Sequence, residues 1–139
     1  MISFTCFFPC VFYLLSIAHS AEAYSLDVPR CEDELGEKAI PDHNDRYRLA
    51  GGVIAVKGQL HGPKYTCELE KLARNLVTEP AGIVGGGYEV TFDSGSGTPN
   101  MEDIANKWED RLKNMSKKDR FGCNLSKRRN NYEVACVYI

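Results

Sequence analysis

Few residues of this chain have types and spacing that could do chemistry. Histidine occurs three times, as His19, His43 and His61. A His/Cys zinc centre needs three or four converging ligands. If the cysteines are committed to disulfides, His43 and His61 cannot supply that set, and no metal or other cofactor is expected. His43 reads as a helix-face residue contacting the core, and His61 as a loop residue. Nucleophilic catalysis has no foothold either, since there is no Gly-x-Ser-x-Gly elbow and Ser94-Gly-Ser-Gly97 has the composition of a flexible turn. Gly85-Gly86-Gly87 lacks the lysine and the helix start of a phosphate loop, and reads as a bulge or close-packing point in a strand. The paired carboxylates Glu68/Glu70 and Glu109/Asp110 stand at helix starts and read as solvated. No catalytic residue is assigned, and the chain is not expected to be an enzyme.

The six cysteines divide into two sets. Cys6 and Cys10 lie in an uncharged apolar run from Met1 to Ala18 that is followed by small residues up to Ala23. The run falls short of the about 20 apolar residues of a membrane span and has the form of a secretory signal, though without a basic n-region. Cleavage is expected after Ala23, with Ser20 the alternative; residues 24–139 then form one domain. That mature chain keeps Cys31, Cys67, Cys123 and Cys136. An even count in an exported chain reads as two disulfides with three possible connectivities. Cys31–Cys67 with Cys123–Cys136 is favoured, because the second pair sits in two β-like runs separated by a turn. Asn114-Met-Ser116 and Asn124-Leu-Ser126 are glycosylation sequons suited to the same compartment.

Charge is balanced overall and uneven along the chain. Without Glu22, 17 basic side chains face 18 acidic ones in the mature chain, so net charge selects no partner. The stretch 24–45 is acidic and the stretch 107–129 basic. Lys117, Lys118, Arg120, Lys127, Arg128 and Arg129 form a candidate basic patch for a sulfated glycan or an acidic protein. The plainer account is that these charges keep a turn soluble.

The elements that must position these groups are two to three helices and about three antiparallel strands, an α+β domain. Pro41–Ala50 reads as a short helix stopped by Gly51-Gly52, and residues 53–64 as an irregular connection with one extended stretch at Val53–Val56. Thr66 caps a second helix, whose Leu69, Leu72, Ala73, Leu76 and Val77 recur at helical spacing until Pro80. Ile83–Phe92 reads as a strand and Asp93–Pro99 as a loop. From the cap Asn100 to Met115, one helix carries the stripe Met101, Ile104, Ala105, Trp108, Leu112 and Met115. Phe121–Leu125 and Tyr132–Ile139 flank a polar tip, Ser126–Asn131, as a β-hairpin.

Four stretches then carry a family resemblance. They are His43-Asn44 with Arg46 or Arg48 and Leu49-Ala-Gly-Gly52; Tyr65-Thr-Cys67-Glu-Leu-Glu70 with Ala73; Ile104-Ala-Asn-Lys-Trp108; and Phe121-Gly-Cys123 with Val134-Ala-Cys136-Val-Tyr138. Together they resemble the CAP superfamily of cysteine-rich secretory, antigen 5 and pathogenesis-related proteins, and especially the activation-associated secreted proteins of parasitic nematodes. The resemblance implies an α-β-α sandwich and, commonly, a cleft where two histidines and two glutamates hold a divalent metal. This chain departs from that cleft. No histidine follows the second helix in Asn75–Pro80, and Gly87-Tyr88-Glu89 replaces the Gly-Glu-Asn signature. Arg111 stands where an acid is expected, and Lys113–Arg120 is too short for the family's second histidine segment. A shortened relative without the metal tetrad is therefore expected: a secreted, non-enzymatic protein that binds host proteins or cells. No membrane span and no nucleic-acid partner are expected. A secreted protease inhibitor is the alternative, although no Gln-x-Val-x-Gly wedge is present, and a metal-dependent hydrolase is a third reading.

Overall fold

The computed structural model describes residues 26–58, 62–78, 82, 85–115 and 117–139. The expected leader at 1–23, His61 and Pro80 lie outside them.

The chain forms α1 (Glu32–Leu35), a 3-10 turn (Gly36–Lys38), α2 (His43–Lys57), β1 (Lys64–Tyr65), α3 (Cys67–Val77), β2 (Glu89–Ser96), α4 (Met101–Lys107), α5 (Glu109–Asn114), β3 (Arg120–Arg128) and β4 (Asn131–Tyr138). The sheet has the order β1-β3-β4-β2, with β1 parallel to β3 and the other pairs antiparallel. Strand alternation then assigns the faces. Phe121, Cys123 and Leu125 of β3 and Val134, Cys136 and Tyr138 of β4 pack on one side with α2, α4 and α5. Val137 packs on the other side with Leu69 and Ala73 of α3. The result is the expected α-β-α sandwich, with four strands where three were expected. The extra one is the two-residue β1, whose Tyr65 lies edge-to-face against Phe121 at 5.2 Å.

Two caps stand as the sequence implies: the side chains of Thr66 and Asn100 accept from the Leu69 and Asp103 backbone N–H groups. Asp42, read from sequence as part of the first helix, caps it instead, its side chain accepting from the Asn44 N–H. The glycine stop does not stand. α2 passes through Gly51-Gly52 and ends at Gly58, whose φ of +63° lets its N–H reach the Ile54 and Ala55 carbonyls. Val53–Val56 is accordingly helical, not extended. The reason is packing: a Cβ on Gly52 would stand 2.9 Å from the Ala105 Cβ. The contact of α2 with α4 therefore needs a bare backbone there, and it outweighs a helix-propensity cost of about 1 kcal/mol per glycine.

Three other boundaries moved. The helix expected over Asn100–Met115 breaks at Trp108, whose Nε1 donates to the Phe92 carbonyl at 3.2 Å; the whole apolar stripe is nonetheless buried. β2 continues to Ser96 through the expected loop, because β4 offers a partner for each of residues 93–96, and Gly86 and Gly87 form a turn ahead of the strand instead of a bulge within it. The hairpin narrows to a turn at Arg129-Asn130, with Arg129 at φ +52°, so that Lys127 and Arg128 belong to β3.

Both favoured disulfides are present. Cys31–Cys67 has its Cα atoms 5.2 Å apart and ties α1 to the start of α3. Cys123 and Cys136 are direct partners across β3 and β4, with Cα atoms 4.0 Å apart. In the chain-entropy account these loops contribute about 4 and about 3 kcal/mol.

Candidate functional site

Imidazole and carboxyl groups converge at one buried point, and an arginine occupies it. Arg46 stands on the same face of α2 as Leu49, Ala50 and Val53, and Glu70 on the same face of α3 as Ala73 and Val77. The side chains of Arg46 and Glu70 are fully buried. Arg46 Nε donates to Glu70 Oε2 at 2.7 Å and Nη2 to Glu70 Oε1 at 2.9 Å, a bidentate pair. Nη2 also donates to the Ile40 carbonyl, and Nη1 to Glu32 Oε1 at 2.9 Å. His43 Nδ1 lies 3.1 Å from Nη1. A guanidinium only donates, so Nδ1 accepts and the imidazole proton sits on Nε2.

Glu70 is equally committed. Its Oε1 accepts the Ile40 N–H at 2.7 Å, and its Oε2 accepts the Tyr65 hydroxyl, held by β1, at 2.5 Å. Tyr65 in turn accepts the Cys123 N–H at 3.2 Å. Burial and the neighbouring Glu70 charge push the Tyr65 phenol well up, so it remains a donor. Burial alone would lower the Arg46 pKa, but hydrogen bonds to Glu70 and Glu32 raise it above its ordinary value. For Glu32, burial pushes the carboxyl up, but the Arg46 hydrogen bond, a backbone hydrogen bond and nearby positive charge together outweigh it and leave the pKa lowered.

This donor set does not fit a divalent cation. The imidazole lone pair points at a cation already, and both Glu70 oxygens are saturated by donors. Among the described residues, no group of three or more His, Cys, Asp or Glu is arranged to hold a metal ion.

The sequence reading missed this centre. Glu70 is not solvated; Glu68 is, as are Glu109 and Asp110. The missed signal was an opposite charge lying in the apolar stripe of each of two helices. Arg46, not Arg48, is the inward arginine, since Arg48 pairs with Glu102 at the surface.

The six basic residues do not form one patch. Arg120 and Arg128 are the first and last residues of β3, about 27 Å apart at strand rise. Lys118 donates to the Gly87 carbonyl at 3.5 Å near one end of the strand. At the other end Lys127 pairs with Asp45 at 3.0 Å, while strand alternation turns Arg128 to the opposite face. Both sequon asparagines are among the described residues, whereas Ser116 of the first sequon lies outside them. Asn114 is exposed at the end of α5. Asn124 is fully buried, and its Nδ2 donates to the Lys38 carbonyl at 2.8 Å and the Glu70 carbonyl at 3.0 Å. That amide nitrogen is the atom a glycan would occupy, so the fold leaves no room for one there.

A sheet clasped between α3 on one face and α2, α4 and α5 on the other, closed by two disulfides and a sealed Arg46–Glu70 pair, defines a CAP-like scaffold. Residues 31–138, from the first disulfide cysteine to the last residue of β4, match the family described as Ancylostoma-associated secreted protein related, and the chain belongs to that family. No curated protein matches it. No helix among the described residues is long and apolar enough to cross a membrane.

Proposed function

We propose that this protein is exported, released into a host, and acts by binding host proteins or cells without catalysing a reaction. The supporting observation is the sealed centre. Where a reactive cleft would need open imidazole and carboxylate groups, Arg46 engages His43 Nδ1, Glu32 Oε1 and both Glu70 oxygens internally. Two closed disulfides fit an oxidising compartment. The apolar leader at 1–23 and the family's description agree with export.

The test is cross-linked capture of host-fluid proteins by the oxidised domain, run beside zinc titration and assays on ester, peptide and glycoside substrates. One saturable partner without turnover is the expected outcome. Stoichiometric zinc, or turnover abolished in Glu70→Gln with the fold retained, would refute the reading. Inhibition of papain-type or trypsin-type proteases at stoichiometric concentration would replace it with the inhibitor reading.

A further inference from the structure

On the face carrying α3, three cations stand together without an acid paired to any of them among the described residues. Arg48, Lys107, Arg111, Lys113 and Lys127 each face an acid. Lys38, Lys71 and Arg74 form no ion pair with any described residue, and they stand together along one groove of about 470 Å³. Its apolar lining is Leu69, Leu72 and Tyr88, which belong to the thin core between α3 and the sheet. Leu72 and Tyr88 are only partly buried, so apolar surface lies open between the charges. Glu68 is the one acid among the described residues of the lining. Arg74 also borders a smaller recess holding Asp42 and Asp45, which dilutes its charge; Lys38 and Lys71 do not line that recess.

We propose that this groove is the partner-binding site, and that it takes an extended acidic segment of a protein carrying one apolar anchor residue. The proposal rests on the binding reading above and deepens it. From Glu68 to Thr78 the groove follows α3 for about 15 Å at helical rise, the length of four to five extended residues. Acidic side chains of the segment meet Lys38, Lys71 and Arg74, and the anchor covers Leu72 and Tyr88. Charge complementarity of this kind sets encounter rate and register, and the apolar contact adds the burial. An open trough suits a passing chain better than a small ligand, which needs most of its surface enclosed.

The probe is a fluorescein-labelled Asp-Glu-Leu-Phe-Glu-Asp hexapeptide, with Lys-Lys-Leu-Phe-Lys-Lys and lauric acid as comparators, titrated into the oxidised full domain. The acidic peptide is expected to bind, to weaken with added salt, and to move amide resonances of Lys71, Leu72, Arg74 and Tyr88. Lys71→Glu with Arg74→Glu, both on a solvent-facing side of α3, is expected to weaken it about tenfold or more with the melting temperature unchanged. No binding, equal binding of the basic peptide, an unaffected double variant, or displacement by lauric acid would each overturn the proposal. The two readings also fail separately. Host-protein capture that survives the double variant removes the groove and keeps the binding function. Turnover of any substrate, with peptide binding intact, removes the non-enzymatic reading alone.

Discussion

The two faces of the sheet are built to different standards. Facing α2, α4 and α5, twenty buried residues form one cluster that includes both disulfides. Facing α3, the cluster has three buried members among the described residues, Leu69, Ala73 and Val137, edged by partly exposed Leu72, Leu76, Tyr88 and Val90. Stability resides on the first face and unmet surface on the second. A domain of this size leaves only about 5–15 kcal/mol of net stability, and the thick face with its staples can hold that while the thin face stays open for contact. The Arg46–Glu70 pair joins the two, since it runs from α2 on one side to α3 on the other.

Breaking that join should therefore have the largest effect. Arg46→Ala leaves the Glu70 carboxylate buried without its counter-ion, and Glu70→Ala does the same to the guanidinium; each is expected to cost about 3–5 kcal/mol in denaturant titration. The double variant Arg46→Met/Glu70→Leu should recover most of the loss, because it removes both charges together. A single variant within about 1 kcal/mol of the parent would mean that the faces are held together by something else.

How α3 lies against the sheet comes next. A Cβ on Gly122 would stand 2.2 Å from the Glu70 backbone nitrogen, so Gly122→Ala must lift the start of α3 from β3. A loss of about 1–3 kcal/mol, with the amide shifts concentrated in α3, is expected. Gly86 has nothing within 4 Å of such a Cβ and no positive φ, so Gly86→Ala should be close to neutral.

Much of this arrangement was legible in the residues. Caps at Thr66 and Asn100, the stripe from Met101 to Met115 and the facing cysteines of the hairpin were readable because they are local: each depends on spacing within a few turns of chain. Gly51-Gly52 was misread as a stop because its cause, the approach of Ala105, lies some fifty residues away. Glu70 was misread for the same reason, since its charge is matched by Arg46, twenty-four residues earlier. The candidate basic patch failed geometrically: nearness in sequence becomes length once the chain is extended in β3. The α3 groove draws on the 3-10 turn, α3 and Tyr88, three segments that no sequence window contains.

The two sequons sharpen the contrast further. Asn124→Ala removes two bonds that tie β3 to the 3-10 turn and to α3, and should cost about 1–3 kcal/mol. Asn114→Gln should leave stability unchanged, since that residue is exposed. In protein secreted from eukaryotic cells, mass spectrometry is expected to find any N-glycan on Asn114 alone. A glycan on Asn124 in folded, disulfide-bonded material would show that α3 does not seat on the sheet as described.

The smallest expected effect lies at the edge of the sealed centre, where Glu32 is partly exposed. Burial pushes its carboxyl up, but hydrogen bonds from Arg46 and the backbone, with the nearby positive charge, together hold its folded pKa below the ordinary 4.5. A carboxyl with a depressed folded pKa binds its proton more readily when the chain is unfolded. Its stabilisation is thus complete above pH 4.5 and fades as pH falls through the folded value. Comparing the parent with Glu32→Gln in denaturant at a series of pH values should show the parent more stable near neutrality, with the gap closing below pH 4.5 as Glu32 takes up its proton. The gap is expected to be small, because the Glu32 side chain is about a third exposed and solvent screens its ion pair. A gap that stays constant down to pH 2 would assign the benefit of Glu32 to shape and packing, and would leave Glu70 as the whole of the anionic partner to Arg46.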